Sequence, residues 1–160
     1  MIAGDAPVLG PEQRRYLESH RVARLATIDA RGRPHVVPIC YAVDGDALYS
    51  PLDEKPKTVS PTELRRVRNL LDRPDVAIVV DDYADDWDRL AYLLLRGRAT
   101  LLWPGNPEHG TAVIMLRAKY LQYRTMAIDQ RPAIRVGIRA ARGWTFLGSP
   151  LGGDGPQNSL

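Results

Sequence analysis

The sequence predicts an α+β protein in which a small, mainly antiparallel β-barrel carries helices on its outside. Three observations lead there. Apolar runs of strand length alternate with turn residues, and the dipeptide Asp44-Gly45 separates two of them at hairpin spacing. Two-residue links of that kind join antiparallel strands and exclude a parallel crossover at that point. No Gly-x-Gly-x-x-Gly follows a strand, so a doubly wound dinucleotide sheet has no support. At 160 residues the chain reads as one domain, large enough for a hydrophobic core without staples.

The elements follow in order. Residues 1–10 read as a loose arm and 11–20 (PEQRRYLESH) as a short helix. Val22–Ile28 is an apolar strand. The segment 29–34 (DARGRP) is a turn, rich in residues that tolerate turn geometry. His35–Val43 and Ala47–Ser50 are the next two strands. Ser60 with Glu63 reads as a capping box and Pro61 as the first position of a helix running to residue 72, with Leu64, Val67 and Leu71 as its core stripe. Asp75–Val80 is a strand, and the acidic run 81–88 leads into a long strand, 90–103. There Tyr92, Leu94, Arg96 and Arg98 share one face, and Leu93, Leu95, Gly97 and Ala99 the other. Asn106-Pro107 starts a helix through about Tyr120. The last strand, 133–146, sets Ile134, Val136 and Ile138 against Arg135, Gly137 and Arg139. Six strands result. The domain is expected over 11–147, with 1–10 and 148–160 as flexible termini by composition.

Composition removes several function classes. The formal net charge is +3 with both signs mixed along the chain, a poor footprint for nucleic acid. One cysteine, Cys40, excludes an internal disulfide and a cysteine-rich zinc site. No apolar run approaches membrane-spanning length, and Arg14-Arg15 followed by YLESH is not an export signal, so a cytoplasmic protein is expected.

The richest segment is 55–74, KPKTVSPTELRRVRNLLDRP, which follows the strand ending in Tyr49-Ser50. Lys55 and Lys57 precede the helix, and Arg65, Arg66 and Arg68 lie off its apolar stripe. A strand, a loop and a cationic helix in this order can hold a phosphate or another anion, chiefly through Lys57 and Arg66, because the capping box already uses part of the helix start. The plainer reading is a solvated basic face. His35 reads as exposed or hydrogen-bonded, and Cys40 as a packing residue. Ser50 has no Gly-x-Ser-x-Gly setting, so it is not a hydrolase nucleophile, though its hydroxyl can donate to a phosphate or a ring edge. The aspartates at 81, 82, 85, 86 and 88 lack the glycine and spaced glutamate of a calcium loop and read as a solvated turn; no metal site is expected.

The stretches VARLATIDARGRPHVVPICYAVDGDALYS, DEKPK, LRRVRNLLDRPDVAIVVDDYADDWDRL, RGRATLL, PGNPEHGTAV and YRTMAIDQRPAI, in this order, resemble the pyridoxamine-phosphate-oxidase-like split β-barrel flavoproteins, and within them the deazaflavin branch that uses coenzyme F420. The resemblance covers residues 11 to 146. It implies a six-stranded antiparallel split barrel of the flavin-reductase or FMN-binding type. It also implies a homodimer with the cofactor at the subunit interface, and hydride transfer between reduced deazaflavin and a small organic acceptor. Tyr49-Ser50 resembles the family's aromatic–hydroxyl pair, and Arg65-Arg66 its basic pair before Pro74. His35, Val37, Pro38, Ile39 and Cys40 fall on the strand implied to face the ring. Lys55, Lys57, Arg65 and Arg66 would meet the anionic tail. FMN enzymes of this fold usually carry Arg and Lys where this chain has His35 and Cys40. FMN is therefore the alternative cofactor, as in an oxidoreductase of the pyridoxamine 5′-phosphate oxidase type. A non-enzymatic flavin or deazaflavin binder is the alternative from another class. The residues that grip pyridoxal phosphate have no counterpart here. Trp87 and the apolar face of strand 90–103 are the expected subunit contacts.

Overall fold

The computed structural model describes residues 6–52, 60–148 and 151. Three helices, α1 (Pro11–Ser19), α2 (Arg65–Asp72) and α3 (Pro107–Lys119), surround one antiparallel sheet. Its strands are β1 (Ala23–Ile28), β2 (Pro34–Ile39), β3 (Ala42–Asp44), β4 (Ala47–Pro51), β5 (Asp75–Asp82), β6 (Ala91–Leu102) and β7 (Ala133–Thr145), in the spatial order β2-β1-β5-β6-β7-β4-β3. No described helix is long and apolar enough to cross a membrane.

The sheet has seven strands where six were expected, because the run 35–43 is two strands. β2 pairs with β1, but β3 pairs with β4 across the Asp44-Gly45 turn. These two strands are the opposite edges of the sheet, and only Cys40 and Tyr41 lie between them. A three-step link cannot exceed roughly 11 Å, so the sheet must curl until its edges meet there. No ladder joins β2 to β3, so the barrel is split along that seam. Gly45 takes φ 57°, which the tight hairpin requires and a side chain resists.

The inward face carries the main core: Ala23, Leu25, Leu48, Val76, Ile78, Val80, Leu93, Leu95, Ala99, Ile134 and Val136, with Leu17 from α1 and Val67 and Leu70 from α2. Leu71, expected in the α2 stripe, is 57% exposed, and Leu70 takes its place. The reason is a break in the helix. Leu64 adopts an extended ψ of 133°, so Pro61–Glu63 forms a separate 3-10 turn and α2 starts anew at Arg65. Among the described residues the outward face is covered at one end, where α3 lays Ala112, Val113 and Leu116 over β3, β4 and the end of β6.

The arm is pinned from Val8 onward rather than loose through residue 10. Val8 and Leu9 donate their N–H groups to the Asp46 carboxylate at 2.9 and 3.0 Å, and Leu9 is buried. The last residue described, Leu151, lies over β7, its carbonyl oxygen 2.5 Å from where a Cβ on Gly143 would stand. Residues 152–160, expected as a flexible tail, lie outside the described residues.

Candidate functional site

The break at Leu64 moves the arginine pair. Arg68 makes the first backbone bond of α2, to the Leu64 carbonyl at 3.0 Å, which puts Arg65 and Arg66 in the first helical turn. That turn carries the positive end of the helix dipole, so the charges of both side chains add to it. Glu63 Oε2 accepts the Ser60 N–H at 3.0 Å, fixing the approach. Arg65 is exposed and stands 3.9 Å from Asp29. Asp29 also accepts the N–H groups of Arg31 and Arg33 at 2.9 Å and the Arg33 side chain at 2.8 Å. The hydrogen bond from the Arg33 backbone is the largest of the influences that hold its carboxyl below the ordinary range. Arg66 is half-buried and Arg68 exposed. Arg73 closes the patch by donating to the Ala30 carbonyl at 3.1 Å. Lys55 and Lys57 lie outside the described residues.

β2 does not present its residues to one surface. His35 pairs with Thr27, Val37 with Leu25 and Ile39 with Ala23, and these partners are buried, so His35, Val37 and Ile39 look inward. Val37 packs on the main core and Ile39 is part of it. Pro38, with Pro34 and Val36, is exposed on the outer face. A planar ring on one face meets one set or the other, by the two-residue period of a strand. Cys40 lies past the end of β2, half-buried against the cluster under α3.

Tyr49 and Ser50 also alternate. Ser50 is buried on the inward side of β4 beside Leu48, and Tyr49 faces α3. There Tyr49 donates to Glu108 Oε1 at 2.8 Å, and Arg135 Nε donates to the same oxygen at 2.6 Å. Tyr49 and Arg135 are ladder partners of β4 and β7. Glu108 stands in the first turn of α3, whose N-cap Asn106 accepts the Glu108 N–H at 2.9 Å. Burial and then the Glu108 bond push the Tyr49 hydroxyl up to about 12. Arg135 and then Tyr49 hold the Glu108 carboxyl below its usual value. The cluster ties three elements together and uses the Tyr49 hydroxyl.

A second cluster sits at the seam of the barrel. Lys119 Nζ donates to the Leu17 carbonyl at 3.1 Å and lies 4.0 Å from the centroid of the Tyr41 ring. The single proton of the Tyr120 hydroxyl is shared between the carbonyls of Arg21 and Tyr41, at 2.7 and 2.9 Å, and its oxygen accepts the Tyr41 N–H at 2.9 Å. Burial, and next the Arg21 charge, lower the Lys119 amine to about 8. The acidic run is less solvated than a bare turn. Asp81 pairs with Arg24, Asp82 accepts from His20 Nε2 at 2.9 Å, and Asp86 accepts the Asp88 N–H at 3.2 Å. Among the described residues no group of three His, Cys, Asp or Glu side chains could hold a metal ion. Sequence reasoning passed over Glu108, Arg135 and Lys119. The Asn106-Pro107-Glu108 cap was legible, but the partners of its carboxylate come from β4 and β7, far away in sequence.

The pyridoxamine 5′-phosphate oxidase family profile matches residues 9–145. No curated protein sequence matches the chain. Among solved structures, the heme storage protein HutZ of Vibrio cholerae is 16% identical, with a TM-score of 0.67 over 86% of this chain and 94% of that one. A FAD-binding protein of Mesorhizobium loti is 23% identical, with a TM-score of 0.59 over 84% and 94%. An F420 reductase is 24% identical, with a TM-score of 0.58 over 81% and 94%. At these identities the likeness is one of fold. The profile spans nearly the whole described chain, from the pinned Leu9 to the end of β7, and on that ground the chain belongs to the pyridoxamine 5′-phosphate oxidase family.

Proposed function

We propose that the protein is a deazaflavin-dependent oxidoreductase that moves a hydride between reduced coenzyme F420 and a small organic acceptor. The observation that carries the reading is the arginine pair in the first turn of α2, in a chain of this family with structural likeness to an F420 reductase. The donor set fits an anionic tail: Arg65 and Arg66 share one turn, with Asp29 on the neighbouring loop 3.9 Å from Arg65. Lys55 and Lys57 would extend the set along the tail. When bound, the deazaflavin supplies the hydride chemistry. The chain's part is to hold the tail with arginine and to exclude water around the ring with Pro38 on the outer face of β2, because Val37 and Ile39 on the inward side, with His35, are turned to the core. Ser50 and Cys40 are the remaining candidates near the ring. The Tyr49 hydroxyl, donated to Glu108, is a support for the strand rather than a donor to the cofactor. FMN is the alternative cofactor on the same residues. The second copy in the proposed homodimer would meet the exposed aromatic end of β6.

The test is a fluorescence titration with coenzyme F420 and with FMN. A well-formed charge-assisted contact contributes about 1.5–3 kcal/mol, and less when exposed. Arg66→Ala is therefore expected to weaken F420 binding by roughly tenfold or more. Unchanged binding in Arg66→Ala and Lys57→Ala makes the helix a solvated basic face and removes the reading. Tight FMN binding without F420 binding replaces the branch but leaves the fold in place. A second reading, a non-enzymatic binder, is favoured by the likeness to a heme storage protein. Stoichiometric hemin uptake, with no deazaflavin bound, would decide for it.

A further inference from the structure

Among the described residues nothing covers the outer face of the sheet over β1, β5 and the first half of β6, and one place on it is shaped as a groove. The sequence causes the shape. In the β6–β7 ladder Arg96 pairs with Ala140 and Gly97 with Ile138, so Arg139 is left over as a bulge. Arg139 and Ala140 are consequently both exposed, one after the other, where a regular strand would alternate. Gly97 permits the close approach: a Cβ there would collide with the Gly137 carbonyl and stand 2.8 Å from Val136 Cγ1. The bulge sets Arg139 on the same face as Arg96.

Between these arginines and the start of β2 lies a groove of ≈ 470 Å³ floored by Ala26, Ile28, Pro34 and Ala77. That volume is within the roughly 300–1,000 Å³ range of small-molecule sites, which pair an apolar lining with a few polar groups. Asp75 also borders the groove, but it stands 3.8 Å from Arg98, on its own rim. Among the described residues no carboxylate pairs with Arg96 or Arg139. Two guanidinium groups over an apolar floor complement a carboxylate on a flat apolar body, since a guanidinium matches a carboxylate in two parallel bonds and stacks on planar surfaces.

We propose that this groove is a binding site for a small planar carboxylate of the aryl class, its ring on Ala26 and Ala77 and its charge between Arg96 and Arg139. The site is separate from the α2 arginines and does not depend on the cofactor reading. It is also apart from the aromatic patch at Tyr92 and Trp144, which lies four residues back along β6, or roughly 13 Å.

The experiment uses the full chain and three probes: 2-naphthoate, the neutral 2-naphthamide of the same shape, and acetate, which has the charge without the ring. Calorimetric titration is expected to show 2-naphthoate binding at least tenfold more tightly than 2-naphthamide, with no heat from acetate. The double variant R96Q/R139Q should erase the preference, and Ala77→Phe, which fills the floor, should weaken both ring ligands. Melting temperatures of the variants check that each is folded. Equal binding of 2-naphthoate and 2-naphthamide overturns the site as an anion site. Acetate binding as tightly as 2-naphthoate overturns the apolar half. Absence of all binding overturns the whole, as does sedimentation showing that R96Q/R139Q turns a dimer into a monomer, because the groove then belongs to a second copy of the chain.

Discussion

Removing the Glu108 carboxylate should cost about 2 kcal/mol of folding stability, and the figure can be built from the contacts around it. Tyr49 is 5% exposed, so its hydroxyl, once deprived of an acceptor, cannot turn to water, and that costs ~1–2 kcal/mol. The Arg135 and Glu108 side chains are 33% and 38% exposed, so their pairing is screened and contributes ~0.5–1 kcal/mol. In a chain of this length Glu108→Ala should then lower Tm by about 4–8 °C at pH 7. Glu108→Gln keeps an acceptor for Tyr49 and should lose roughly half as much. The pH dependence has a definite sign. Arg135 and Tyr49 depress the Glu108 carboxyl in the folded state. Its contribution is therefore full above the unfolded value, about 4.3, and fades as pH falls through the lower folded value. Parent and Glu108→Ala should melt apart at pH 7 and converge as the pH falls through the depressed folded value. A double-mutant cycle with Tyr49→Phe should give a coupling of about 1 kcal/mol. The assay is thermal denaturation followed by circular dichroism. A Glu108→Ala protein melting within about 1 °C of the parent at pH 7 would refute the reasoning, as would a gap that widens in acid.

Two further outcomes follow from the second cluster and the open face. Burial, with Arg21, lowers Lys119 to about 8, against about 10.4 in an unfolded chain, so the native state binds this proton more weakly. Stability should rise by about 1–3 kcal/mol from pH 8 to 10, less than the full shift because the Tyr41 ring and the Leu17 carbonyl favour the cation. Lys119→Met should flatten that rise, and a rise that persists in the variant places its source elsewhere. The proposed homodimer should use the patch where Trp87 meets Phe146 at 6.0 Å and Tyr92 stacks on Trp144 at 5.6 Å, all four side chains being exposed. Sedimentation equilibrium should show a dimer that Trp144→Asp weakens; a parent monomer at micromolar concentration with cofactor binding intact counts against it.

The alternation of β6 and β7, the Asp44-Gly45 hairpin and the caps at Ser60 and Asn106 were legible because each rests on neighbours within a few residues. The split of 35–43 into two strands was not. Cys40 and Tyr41 carry no breaker, and the chain leaves β1 there only because the edges of a curling sheet converge. The apolar face of β6 was expected at a subunit contact, but Leu93, Leu95 and Ala99 fill the core. The face that remains is the Tyr92 and Leu94 side. Which face a strand turns inward depends on the sheet's curvature, and local sequence does not encode that. The helix at 61–72 broke at Leu64 for a related reason: Leu64 packs against the core, and that burial, rather than helix propensity, sets its backbone. The bulge at Arg139 depends on Gly97, a residue on another strand, so nothing near Arg139 announced it.

The placement of β4 has a consequence for the nascent chain. The hairpin of β3 and β4 is made before β5, β6 and α3, yet its ladder partner is β7, which is made after all of them. Until then Ala47, Leu48 and Tyr49 have no β7 to cover them, and neither α3 nor the Glu108 carboxylate exists to receive the Tyr49 hydroxyl. At about 5–20 residues per second, that interval lasts several seconds. A lone hairpin is marginal in water, so this edge is the segment most open to chaperones or to pairing with another nascent copy.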